Sequence, residues 1–239
     1  MSPTFGFLHG SWHTGGCWDP TRQALERRGV PSVTVTMPID DPTQGAADYA
    51  AQIVEQWRGI DDLVVVAHSA GGLTAPLLPA LRPVRGIIFL AALLPEVGDS
   101  LAGQRAAGHQ VMTEQWLTEY LPQQVRLPDG RTEWPAELAR EIFYHDVADP
   151  ALVEAALAEL RPQAMTPLTE VTSLQEWPSV PMDYLACADD RVVSAAAGSA
   201  LARQRLGIEP RRMPGGHSPF LARPEELVDR LLEVAEQQG

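Results

Sequence analysis

The chain has 239 residues, enough for one sizeable core and ordinary for a single α/β domain. Its 45% hydrophobic and 21% charged fractions are those of a soluble globular protein. A net charge of −13 with no offsetting basic stripe argues against nucleic acid or an anionic membrane as partner.

The first expected strand is Phe5–Leu8, which runs into the small-residue stretch "HGSWHTGGCW". A helix then follows in "DPTRQALERRG", with Asp19 expected as N-cap, Pro20 at its first position and Gly29 as terminator. After a second strand, Ser32–Thr36, the residues Ala46, Tyr49, Ala50, Ile53, Val54 and Trp57 recur at helical spacing. The third strand, Leu63–Ala67, ends in "HSAGG". Pro76 and Pro79 fall in the helix that should come next, so distortion is expected there. The fourth strand is Gly86–Ala91. Its apolar run Ile87–Leu94 is too short to span a bilayer.

From about residue 97 to 178 the rhythm changes. No convincing buried strand appears, and helical pieces are broken by prolines, as for a helical cap inserted over one end of a sheet. Strands resume at Met182–Cys187 and, more weakly, at Arg211–Met213. A last helix places Leu227, Leu231 and Val234 on one face. Apolar runs without alternation, separated by helices, indicate an α/β fold with a mostly parallel sheet of about six strands, covered on both faces. The organisation is one domain, residues 1–239, with a cap. Cys17 and Cys187 form no disulfide framework, and the N-terminus lacks the basic and apolar segments of a signal peptide, so a cytoplasmic location is expected.

Four stretches carry chemistry. Ser69 sits where a strand gives way to small residues, the context of a nucleophile elbow, with Ala67 in place of the usual first glycine of G-x-S-x-G. Alanine adds one methyl and preserves the smallness that the turn requires. His217, in "MPGGHSPF" before the final helix, has the side chain needed to take and return a proton near neutrality. The acid must come from "CADDRVV", where spacing leaves Asp189 and Asp190 equivalent. The backbone N–H groups of Ala70 and Ser11 are placed to hold an oxyanion. His9 and His13 stand four apart but lack the glutamate and helix of a zinc motif, so neither a metal nor a cofactor is expected. His68 is expected to pack in the elbow.

Together these stretches resemble the α/β-hydrolase superfamily, in particular the branch of plant methylesterases and hydroxynitrile lyases with their bacterial esterase relatives. The resemblance runs through "HGSWHTGGCW", "AHSAGG", "FLAALLP", "FYHDVADPALVEAALAELRPQ", "CADDR" and "GGHSPFLARPEEL". It implies the α/β-hydrolase fold, ester hydrolysis through an acyl-enzyme on Ser69, and Asp190 as the acid. The lyase members carry a threonine and a lysine where Gly10 and Ser218 stand here, so cyanohydrin cleavage is not expected. The expected substrate is a small, fairly apolar ester, thioester or lactone held between sheet and cap, with Trp12, Trp116, Phe143 and Met165 as candidate walls. The rival readings are a lyase or cyclase using the same Ser–His pair, and a ligand receptor on a hydrolase scaffold.

Overall fold

In the computed structural model of the protein, residues 2–237 are described. The chain runs β1 (Thr4–Leu8), α1 (Asp19–Arg27), β2 (Ser32–Thr34), α2 (Ala46–Gln56), β3 (Leu63–His68) and β4 (Gly86–Leu90). A long segment then carries α3 (Leu101–Ala106), β5 (Val125–Arg126), β6 (Thr132–Glu133), α4 (Ala136–Phe143), α5 (Pro150–Ala158) and α6 (Thr166–Thr169). The chain closes with β7 (Met182–Cys187), α7 (Ala195–Leu206), β8 (Arg211–Met213), α8 (Pro219–Ala222) and α9 (Pro224–Gln237).

Six strands form one sheet in the order β2-β1-β3-β4-β7-β8, and every neighbouring pair is parallel. Alternation along β3 explains why its apolar run is unbroken. Val64 and Val66 face one side with Phe5, Phe7, Ile88 and Leu185, packed against Leu25 of α1 and Leu227, Leu231 and Val234 of α9. Val65 and Ala67 face the other side with Ile87, Phe89 and Tyr184, packed against Tyr49, Ala50 and Ile53 of α2. Both faces are therefore dry, as crossover helices require of a parallel sheet. All six strands lie where sequence patterning places them, and their carboxyl ends share one edge, the usual place for a ligand in such sheets.

Two local features differ from expectation or extend it. Asp19 is the first residue of α1 rather than its cap, because a 3-10 turn at Gly15–Trp18 leads into the helix. The cap of that turn is Thr14, whose hydroxyl accepts the Gly16 N–H at 3.2 Å. After Ser69 the expected distortion takes the form of two 3-10 pieces, Ser69–Leu73 and Ala75–Ala80, the second containing Pro79.

The long segment between β4 and β7 meets the sheet edge through Trp12. That indole packs against Trp116, Trp134 and Phe143 with ring centroids 6.1, 5.5 and 5.9 Å away, and its Nε1–H donates to the Thr132 carbonyl at 3.0 Å. The short antiparallel pair β5–β6 lies within this segment and escapes sequence reading.

Candidate active site

β3 ends at His68, and Ser69 turns out of it with φ of 52°. This left-handed conformation costs a non-glycine residue on the order of 1–2 kcal/mol. Its carbonyl accepts the Leu93 N–H at 2.9 Å, which anchors the turn beyond the end of β4. Smallness matters more after the serine than before it. Ala67 is buried without conflict, whereas a Cβ at Gly71 would stand 2.8 Å from the His9 carbonyl oxygen and one at Gly72 only 2.3 Å from that of Leu93.

The loop after β8 presents His217, buried, with Nδ1 2.8 Å from Asp190 Oδ2. The other oxygen of Asp190 accepts the N–H groups of Val192 at 2.7 Å and Val193 at 3.0 Å, so the carboxylate cannot rotate without losing three bonds. With Nδ1–H committed to Asp190, the lone pair of His217 is left on Nε2. Asp189 turns the other way and accepts the Gly215 N–H at 3.0 Å. The elbow and the histidine loop are tied directly: His68 Nε2–H donates to the His217 carbonyl at 2.8 Å, and the two rings lie 4.5 Å apart.

Three further histidines surround this pair, and each is held neutral by burial. His9 accepts the Met37 N–H at Nε2 (2.9 Å), and desolvation lowers its pKa from 6.5 to about 4. His13 donates from Nδ1 to the Ser11 carbonyl at 2.8 Å and accepts the Tyr144 hydroxyl at Nε2 (3.0 Å); burial lowers its pKa to about 3. Burial also pushes His68 well below its ordinary value. His9 and His13 thus have separate partners and buttress the loop that carries Ser11. In that loop Gly10 passes so close to the elbow that a Cβ would lie 2.7 Å from Ser69 Cβ. The Ala70 N–H falls in the first turn of a 3-10 helix, where N–H groups have no intrahelical acceptor.

Ser69 and Ser11 open onto a cavity of about 260 Å³ whose walls are mainly apolar. Trp12, Trp116 and Met165 line it, as expected from sequence. Phe143 does not. Its ring packs between Trp12 and His217, at 5.9 and 6.2 Å, on the core side of the site. Leu93, Val111 and Val192 also form walls; no local pattern in the sequence separates them from ordinary core, because only the tertiary fold turns them toward Ser69. Besides the two serines, Arg105, His109, Gln110, Gln124 and Thr169 are the polar residues of the lining.

Over residues 7–230 the chain matches the alpha/beta hydrolase family. It belongs to that family. Among the relatives of this hydrolase is Methylesterase 7 of Arabidopsis thaliana, 25% identical over 255 residues, covering 98% of this chain and 96% of the relative. The crystal structure of polyneuridine aldehyde esterase superposes with a TM-score of 0.81 at 16% identity, covering 98% of this chain and 100% of that one. A pyrethroid hydrolase from Sphingobium faniae JZ-2 superposes at 0.76 with 19% identity, covering 99% and 98%. Among the described residues of this hydrolase, no helix is long and apolar enough to cross a membrane.

Proposed function

We propose that the protein is a carboxylic ester hydrolase working by acyl transfer. The observation that carries this reading is the buried His217–Asp190 pair, tied through His68 to a serine on a strained turn that opens onto an apolar cavity. In this reading Ser69 Oγ attacks the ester carbonyl while His217 Nε2 takes its proton, and Asp190 holds the ring in the required tautomer. The oxyanion formed is met by the N–H groups of Ser11 and Ala70. His217 returns the proton to the leaving alcohol, after which a water molecule, activated by the same nitrogen, cleaves the acyl-enzyme. The segment from about 97 to 178 acts as the cap that shapes the substrate site within a single domain. The methylesterase relative supports an ester as substrate, and the cavity's size and lining support a small, fairly apolar one. Two unpaired cysteines are in keeping with a reducing cytosol.

Fluorophosphonate labelling with mass mapping tests the nucleophile directly, and Ser69 is expected to carry the adduct. With p-nitrophenyl butyrate, Ser69→Ala and His217→Ala should each lower kcat by on the order of 10⁴- to 10⁶-fold while leaving the fold intact. Labelling of Ser69 without turnover of any short ester would point instead to the lyase or the receptor. Activity near wild type in either variant would mean that other residues do the chemistry.

A further inference from the structure

The geometry points to Asp146 as a positioning residue through which the segment between β4 and β7 holds the loop of His217 in register. It rests on the role of His217 proposed above.

The loop is gripped from two sides. Gly215 N–H donates to Asp189 Oδ2 at 3.0 Å, and the Asp189 N–H returns a bond to the Gly215 carbonyl at 3.0 Å, so this residue is fixed to the turn after β7. Gly216, the residue directly before His217, donates its N–H to Asp146 Oδ2 at 2.8 Å. Asp146 lies just beyond α4, seventy positions earlier in the chain. Two consecutive N–H groups are therefore held by carboxylates from two separate elements. The carbonyl of His217 is held in turn by His68. Among the described residues, only the hydrogen bond from Asp146 joins the inserted segment to this backbone.

The fit around Gly216 is close. A Cβ there would lie 2.5 Å from His145 Cε1 and 2.9 Å from Asp146 Oδ1. Asp146 is largely withdrawn from water, its side chain 14% exposed, with Arg223 Nε 3.8 Å from Oδ2 as the balancing cation. A charge-assisted bond in such surroundings is stronger than a neutral one in water. The sequence stretch "FYHDVAD" thus has a task at the site without touching substrate. Without the bond, the backbone N–H of Gly216 is left unpaired, and the loop is free to tilt the imidazole away from Ser69.

The test uses the full chain and p-nitrophenyl butyrate, with Asp146→Ala, Asp146→Asn and His217→Ala. An asparagine keeps an oxygen for the Gly216 N–H, and an alanine does not. Asp146→Ala is expected to lower kcat by roughly tenfold to a hundredfold with KM changed less than about twofold, as for a displaced catalytic group, and Asp146→Asn to restore kcat to within about threefold of wild type. Assays run well below the unfolding midpoint of each variant, and Asp146→Ser replaces the alanine, with the same expectation, if the latter does not fold. An alanine variant with wild-type kcat, while His217→Ala is inactive, overturns the inference and leaves the triad standing. Equal losses in Asp146→Ala and Asp146→Asn also overturn it, because the bond itself would then not be what matters. Activity in His217→Ala removes the premise.

Discussion

At position 10 the absence of a side chain is a requirement of packing against Ser69, the proposed nucleophile. An added Cβ would meet Ser69 Cβ at 2.7 Å and His68 Nδ1 at 3.0 Å, and both neighbours belong to the elbow that cannot give way without moving the hydroxyl. Gly10→Ala is therefore expected to lower kcat at least about tenfold, and the heavier Gly10→Thr further still, with KM affected less. Steady-state kinetics on p-nitrophenyl butyrate checks this; unchanged kcat in Gly10→Ala would show that the loop has slack which the close contact denies. The residues proposed to take part were legible in sequence to different degrees. Ser69 and His217 sit in small-residue stretches at strand ends, so local pattern suggests them and their order along the chain with an acid between supports the pair. Asp189 and Asp190 are adjacent in one turn, and spacing leaves them equivalent. Their separation is tertiary: one carboxylate reaches the imidazole and the other reaches a backbone N–H of the next loop. Asp146 carried no signal, because its partner lies seventy residues away.

The sheet was readable element by element because each strand of a doubly covered parallel sheet is an apolar run with helices on either side. The inserted segment was not. Its strands "VR" and "TE" are two residues long; Val125 and Arg126 are exposed, and the buried Thr132 is held through backbone bonds to Gln163, so neither strand shows an apolar run. Trp116 opens a single turn of π-helix, Trp116–Tyr120, a wide turn that aims the indole at the cavity and at Trp12. If the acyl chain lies along this wall, Trp116→Ala lengthens the space available to it. The substitution removes a buried aromatic and should destabilise the protein by about 3 kcal/mol or more. It should also shift the chain-length optimum of a p-nitrophenyl ester series upward. Each newly buried methylene adds about 0.8 kcal/mol, roughly fourfold in kcat/KM. An unshifted optimum would place the acyl chain elsewhere in the cavity.

Over the whole molecule, the site's neutral histidines couple its integrity to acid. His9, His13 and His68 are buried with their ring nitrogens committed to backbone or hydroxyl partners, save His68 Nδ1, which has none. Above about pH 6.5 the folded and unfolded chains both hold these rings neutral, and stability is full. Between 6.5 and about 4 the unfolded chain binds a proton at position 9 that the folded chain refuses, so stability falls as pH falls through that window. His9 alone then contributes a loss on the order of 3 kcal/mol, and for His13 the window extends down to about pH 3. Urea midpoints measured from pH 7.5 to 4 should therefore drop steeply below 6.5. His9→Gln keeps an acceptor for the Met37 N–H and cannot titrate, so its midpoints should be lower at neutral pH yet fall less toward pH 4. If wild type and His9→Gln lose stability in parallel, the acid sensitivity belongs to other groups, and the buried ring at position 9 is not what the fold must keep uncharged.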